Sequence, residues 1–172
     1  MATYLTKNFT VEELTASNTA KARGINNTPT PEHLENMKYV CEKILEPVRA
    51  FFDLPVVVNS SYRSAALNKA VGGASLSQHL NGEAVDFEIP GVSNRVIADW
   101  ICDNLDHDQV ILEFYVEGND SSGWVHVSLQ KSGVNRKQKI IAKKDGSTTK
   151  YYGVDNFDKA DRWKSLRKWK AA

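Results

Sequence analysis

The chain has 172 residues, 41% of them hydrophobic and 25% charged, with a formal net charge of +1. That length suits one globular domain with a real core and excludes two comfortable ones. No apolar run approaches the roughly 18 to 20 residues of a membrane span, which excludes a transmembrane helix.

The N-terminal stretch MATYLTKNFTVEEL lacks the basic start and apolar h-region of a secretory signal, so Sec-type export is not expected. Thr10 followed three residues later by Glu13 has the form of a capping box, so a short helix starts there. After a polar loop, Thr30 and Pro31 supply the cap and first residue of a long helix. Along it Leu34, Met37, Cys41, Ile44, Leu45, Val48 and Phe52 recur at three- and four-residue steps as one buried face. Pro47 should kink that helix or end its first part. The two cysteines, Cys41 and Cys102, fit no zinc-finger spacing and read as buried free thiols.

LPVVVNS is a short strand rich in β-branched residues. YRSAALNKAVGG is helical up to Gly72 and Gly73. EAVDFEI alternates, with Val85, Phe87 and Ile89 on one face and Ala84, Asp86 and Glu88 on the other. A second amphipathic helix follows, capped by Ser93. Residues 108–130 read as two strands around a polar turn, and residues 137–154 as a hairpin turned at Asp145-Gly146. A basic helix with Trp163, Leu166 and Trp169 closes the chain. Helices followed by a mostly antiparallel sheet make the fold class α+β. The organisation expected is a core over 1–130 and a basic hairpin and helix over 131–172, docked on the same domain.

Charge is unevenly spread. Residues 131–172 carry thirteen Lys and Arg against four Asp and Glu, whereas residues 1–130 carry nine against seventeen. A cationic tail on an acidic body suits a polyanion such as an anionic wall polymer, or simply a solvated face. A nucleic-acid contact is the weaker reading, and no specific nucleic acid is expected.

The chemistry concentrates around SLSQHLNGEAVDF, residues 75–87. If the turn after residue 109 centres between Asn119 and Asp120, Glu113 lies opposite His126 and Phe114 opposite Val125. The apolar partners then share one face, and Glu113, Trp124 and His126 share the other. A neighbouring strand carrying Asp86 would bring His79, Asp86 and His126 together. Two imidazoles and a carboxylate form a three-ligand set suited to catalytic zinc. Glu113 would be the adjacent base. His33 and His107, one in a first helical turn and one in an acidic loop, read as solvent-exposed.

SSYRSAALNKAVGGASLSQHLNGEAVDFEI followed by GWVHVSL resembles the zinc D-Ala-D-Ala carboxypeptidase family. These peptidoglycan metallopeptidases are related to vancomycin-resistance dipeptidases and phage endolysins. The matching pattern runs through Ser60, Ser61, Tyr62, Arg63 and Ser64, then Val71-Gly72-Gly73. It continues through Ser77, His79, Gly82, Ala84 and Asp86 to Trp124 and His126. The resemblance implies that His79, Asp86 and His126 are zinc ligands and that Arg63 faces the substrate as a carboxylate clamp or oxyanion stabiliser. Ser77 and Trp124 border the peptide, although Ser77 also suits a turn hydroxyl. Gly82 supplies a backbone conformation or close approach that a side chain would block.

The implied substrate is the stem peptide of bacterial peptidoglycan, reached by a phage-type or prophage release. Which bond is cut stays open. One departure stands out. Many relatives place a glutamate three residues before the last histidine, and here that residue is Gly123. Glu113 is the replacement nominated by strand geometry. Glu117 lies nearer the turn and reads as solvated, Glu88 is the remaining rival, and the absence of a dedicated base is the other alternative. Gly123 also leaves room for a second reading, a non-catalytic zinc-containing module that binds wall or a protein partner.

Overall fold

Local capping signals place the helices. The computed structural model describes residues 2–157. The expected helix around Trp163, Leu166 and Trp169 lies outside the described residues. Helix α1 (Val11–Thr15) begins at Thr10, whose hydroxyl accepts from the Glu13 N–H at 3.2 Å. Helix α2 (Asn18–Arg23) is capped by Ser17. Helix α3 (Pro31–Val40) starts at Thr30 with a reciprocal pair: the His33 N–H donates to Thr30 Oγ1, and the Thr30 N–H donates to His33 Nδ1, both at 3.3 Å. The His33 ring also lies 4.8 Å from that of Tyr62. His33 is therefore a half-buried capping residue rather than an exposed one, because its imidazole replaces the Glu or Gln usual at that position.

Pro47 acts without ending its helix. A single π turn (Cys41–Leu45) follows α3 and leads into α4 (Glu46–Phe52), with the Glu46 N–H donating to Cys41 O. Proline has no N–H and its ring crowds the preceding turn, so widening that turn lets the helix continue. Met37, Val40, Cys41, Ile44, Leu45 and Val48 are fully buried along this unit. Burial pushes the Cys41 thiol well up and Cys102 up to about 12, so neither is a reactive thiolate.

The sheet contains β1 (Val57–Ser60), β2 (Ala84–Glu88), β3 (Gln109–Glu113), β4 (Trp124–Ser128), β5 (Gln138–Asp145) and β6 (Thr148–Gly153), in the order β1-β2-β4-β3-β5-β6. Every pairing is antiparallel except β3 with β5, so the sheet is mixed and, as expected, mostly antiparallel. Helix α5 (Ala65–Ala70) follows β1, and α6 (Asn94–Asn104) lies between β2 and β3. Ser93 occupies the cap position of α6, but its side chain makes no cap hydrogen bond. One sheet face, with Val85, Phe87, Val110, Leu112, Val125 and Val127, joins the α3–α4 residues and Ile97 and Ile101 of α6 in the core. The opposite face is free for chemistry. None of the helices among the described residues is long and apolar enough to cross a membrane.

Residues 129–137 carry the chain across the end of β3. They are fastened by Asp108, fully buried, whose carboxylate accepts from the Arg136 N–H and Nε at 2.9 Å each and from its Nη2. That bidentate pairing lets the carboxylate be buried without losing its partners. His107 beside it is also buried, at 3% exposure, with Nδ1 3.0 Å from Leu105 O. The expectation of a solvated His107 fails: the ring is buried in a loop that the crossing segment ties down through Arg136 and Asp108.

Candidate active site

The strand register decides which side chains meet. Asp86 and His126 are direct partners across β2 and β4. In the β3–β4 pair, Ile111 faces His126 and Glu113 faces Trp124. The expected register, with Glu113 opposite His126, is thus displaced by two residues. The cause lies at the hairpin's neck: Phe114 has φ 54° and Gly123 φ 65°, which ends the ladder early. A Cβ on Gly123 would lie 1.8 Å from Glu113 O, so only glycine lets the two backbones close there. A two-residue displacement keeps every side chain on its face. Glu113 therefore remains beside His126, on the diagonal.

His79 comes from a 3₁₀ turn (Gln78–Asn81) that stops at Gly82, with φ 73°. A Cβ at Gly82 would lie 2.8 Å from His33 O and 2.9 Å from Met37 Cγ. Gly82 thus sets both the left-handed backbone and the seat of the turn on α3. Gly82→Ala is expected to destabilise the chain by at least about 2 kcal/mol in denaturant titration, from left-handed strain plus the backbone collision.

The turn delivers His79 with its ring already oriented. Its Nδ1 lies 2.6 Å from Ser61 O. A carbonyl can only accept, so Nδ1 carries the proton and Nε2 presents a lone pair to the site. Burial lowers the His79 pKa and favours that neutral form. Nε2 lies 3.3 Å from His126 Nδ1 and 3.3 Å from Asp86 Oδ2, while His126 Nδ1 is 2.8 Å from Asp86 Oδ1. Burial works against the charge of Asp86, but His79 and His126 outweigh it and hold the carboxyl below the ordinary range.

These separations test the donor set. Tetrahedral zinc with N and O ligands has donors ~3.3 Å apart. Two of the three distances already match, and the shortest is that of a hydrogen bond. The set fits a zinc ion: two imidazoles, one carboxylate, all buried and converging.

Arg63 stands beside them. Its backbone N–H donates to His79 O at 3.0 Å. Its guanidinium donates to Ser60 Oγ at 3.1 Å, Asn68 Oδ1 at 3.4 Å and Asp86 Oδ2 at 3.4 Å. An arginine has five N–H donors, so part of the fork remains for a ligand. Glu113 is half-buried. Burial first, then the charge of Asp86, push its carboxyl up to about 7, against the opposing influence of His126 and Arg63.

His79, Asp86, His126, Arg63 and Glu113 line one cleft of about 1080 Å³, together with Ser77 and Trp124. Ser77 precedes the 3₁₀ turn, yet its side chain makes no capping hydrogen bond. The rival carboxylates are committed elsewhere: Glu88 accepts from Asn59 at 2.8 Å, and Glu117 pairs with Arg95. The Ser61 carbonyl that orients His79 had no signal in the sequence, because any residue offers a carbonyl. Tyr151 and Lys144 also reach this cleft, through strands whose place in the sheet the sequence does not reveal.

Residues 7–128 match the family model described as Peptidase M15. The chain belongs to the M15 peptidases. No curated protein matches it. M15 peptidases are zinc-dependent metallopeptidases, and the converging group of this M15 peptidase lies wholly inside the matched segment.

Proposed function

We propose that this M15 peptidase hydrolyses peptide bonds adjoining D-amino acids in bacterial cell-wall stem peptides, as a D-Ala-D-Ala carboxypeptidase or an endolysin-type endopeptidase. The observation that carries this reading is the convergence of His79, Asp86 and His126 in one open cleft with Arg63 and a carboxyl poised near neutrality. His79 through Nε2, His126 through Nδ1 and Asp86 through its carboxylate would hold zinc. When bound, zinc supplies Lewis acidity toward an amide carbonyl and toward water.

The remaining steps belong to the protein. Glu113 accepts a proton from the attacking water. As the C–N bond breaks, it returns that proton to the departing amine, so the carboxylate is regenerated. The uncommitted N–H groups of Arg63 hold a peptide carboxylate or the carbonyl oxygen as charge develops on it. The Ser61 carbonyl fixes the imidazole of His79. Trp124 and Ser77 shape the peptide's path.

Gly123 favours the second reading, a zinc-containing module that binds wall without cutting it. Glu113 on the neighbouring strand weighs against that reading, since it brings a carboxyl to the same face. Digestion of purified peptidoglycan separates the two. The zinc-loaded chain is expected to release new amine termini, a chelator to abolish the release, and mass spectrometry of the products to name the bond. Binding without any new amine would establish the module instead.

A further inference from the structure

The β5–β6 hairpin begins at Gln138, beyond the matched segment 7–128. Parallel pairing sets Ile140 beside Ile111 and Ala142 beside Glu113. Alternation along β5 then brings Lys144 to the same face, and the β6 register sets Thr149 beside Lys144 and Tyr151 beside Ala142. Ile140, Lys144, Thr149 and Tyr151 accordingly line the cleft that holds His79, Asp86 and His126.

Two of them are large, exposed and unspent. Tyr151 is 60% exposed. Burial and then the charges of Glu113 and Asp86 raise the pKa of its hydroxyl, so the ring lies in the field of the site. Lys144 Nζ donates to Thr149 Oγ1 at 3.2 Å and sits 5.1 Å from the centre of the Phe114 ring. That ring in turn meets Trp124 edge-on at 5.2 Å. The ammonium is therefore positioned, yet among the described residues no carboxylate pairs with it. Arg136, the other cation that this part of the chain brings to the cleft, is already neutralised by Asp108.

We propose that the β5–β6 hairpin is a substrate-reading wall of this cleft, with Tyr151 lying along the peptide and Lys144 pairing with a carboxylate on its flank. The ligand class rests on the peptidase reading above. Stem peptides supply such a group in the α-carboxylate of γ-linked D-glutamate, which exists free or amidated.

The test uses the full zinc-loaded chain carrying Glu113→Gln, so that ligand survives the measurement. Binding is titrated with L-Ala-γ-D-Glu-L-Lys-D-Ala-D-Ala and with its α-amidated form. The free carboxylate is expected to bind about fivefold more tightly, the scale of an exposed ion pair. Lys144→Ala should erase the preference and Lys144→Glu should reverse it. A preference that persists in Lys144→Ala, or none with Lys144 present, overturns the proposal. Cleavage by the unsubstituted chain is scored separately. Preference without cleavage keeps the wall and removes the peptidase assignment; cleavage without preference does the opposite.

Discussion

Glu113→Gln is expected to leave zinc bound and reduce turnover about 100-fold or more, the scale of losing a positioned proton acceptor. The same substitution should make the metal-free chain more stable in alkaline solution. Folding raises the Glu113 pKa from an ordinary 4.5 to about 7. The protonated carboxyl therefore favours the native state. That contribution is complete below the unfolded value and lost as pH rises through about 7. Above it, wild type carries a buried charge costing up to roughly 3 kcal/mol, while glutamine carries none. Thermal melts of the two chelated proteins should coincide near pH 4 and separate by several degrees near pH 8, the variant melting higher. Equal melts at pH 8 would show that Glu113 is not desolvated. Undiminished turnover would remove it from the mechanism.

His126→Ala should act on the other half of the chemistry. It deletes one donor from a set of three and leaves His79 and Asp86, too few to hold zinc firmly. Loss of a supporting hydrogen bond alone costs 10- to 100-fold in affinity, so loss of a ligand should exceed about 100-fold in competition with a chelator. Asp86 also loses its 2.8 Å partner while staying beside His79 and Arg63. The variant should therefore still fold. Side by side, the two substitutions separate holding the ion from handling the proton. Wild-type zinc affinity in His126→Ala would mean that these residues are not its ligands.

Much of this site was legible because its signals are local. The strand alternation around Asp86 is a two-residue period and survives in the structure as Val85 and Phe87 buried in the core with Asp86 on the site face. The pairing of Glu113 was harder. Its face followed from parity, whereas its partner depended on where the hairpin closes. That point is set by left-handed backbone at Phe114 and Gly123, and nothing in the residue type of Phe114 announces it. His107 was misjudged for a similar reason: it is buried in a loop that is fastened at Asp108 by Arg136, distant in sequence. The parallel β3–β5 pair was invisible too, because a short connection of nine residues suggests neighbouring strands rather than a passage over a third.

That parallel pair also bears on how the molecule avoids sticking to itself. The segment shared with the family ends with β4, and a chain stopping there would leave Gln109–Glu113 without its outer neighbour. Open main-chain amides beside Val110 and Leu112 would be a template for fibril growth. Among the described residues the hairpin moves the border of the sheet to β6, a strand bearing Lys150 and paired with the strand of Lys143 and Lys144. Lysines on that border discourage a second copy from zipping on, so the hairpin that lines the cleft also covers the β3 border.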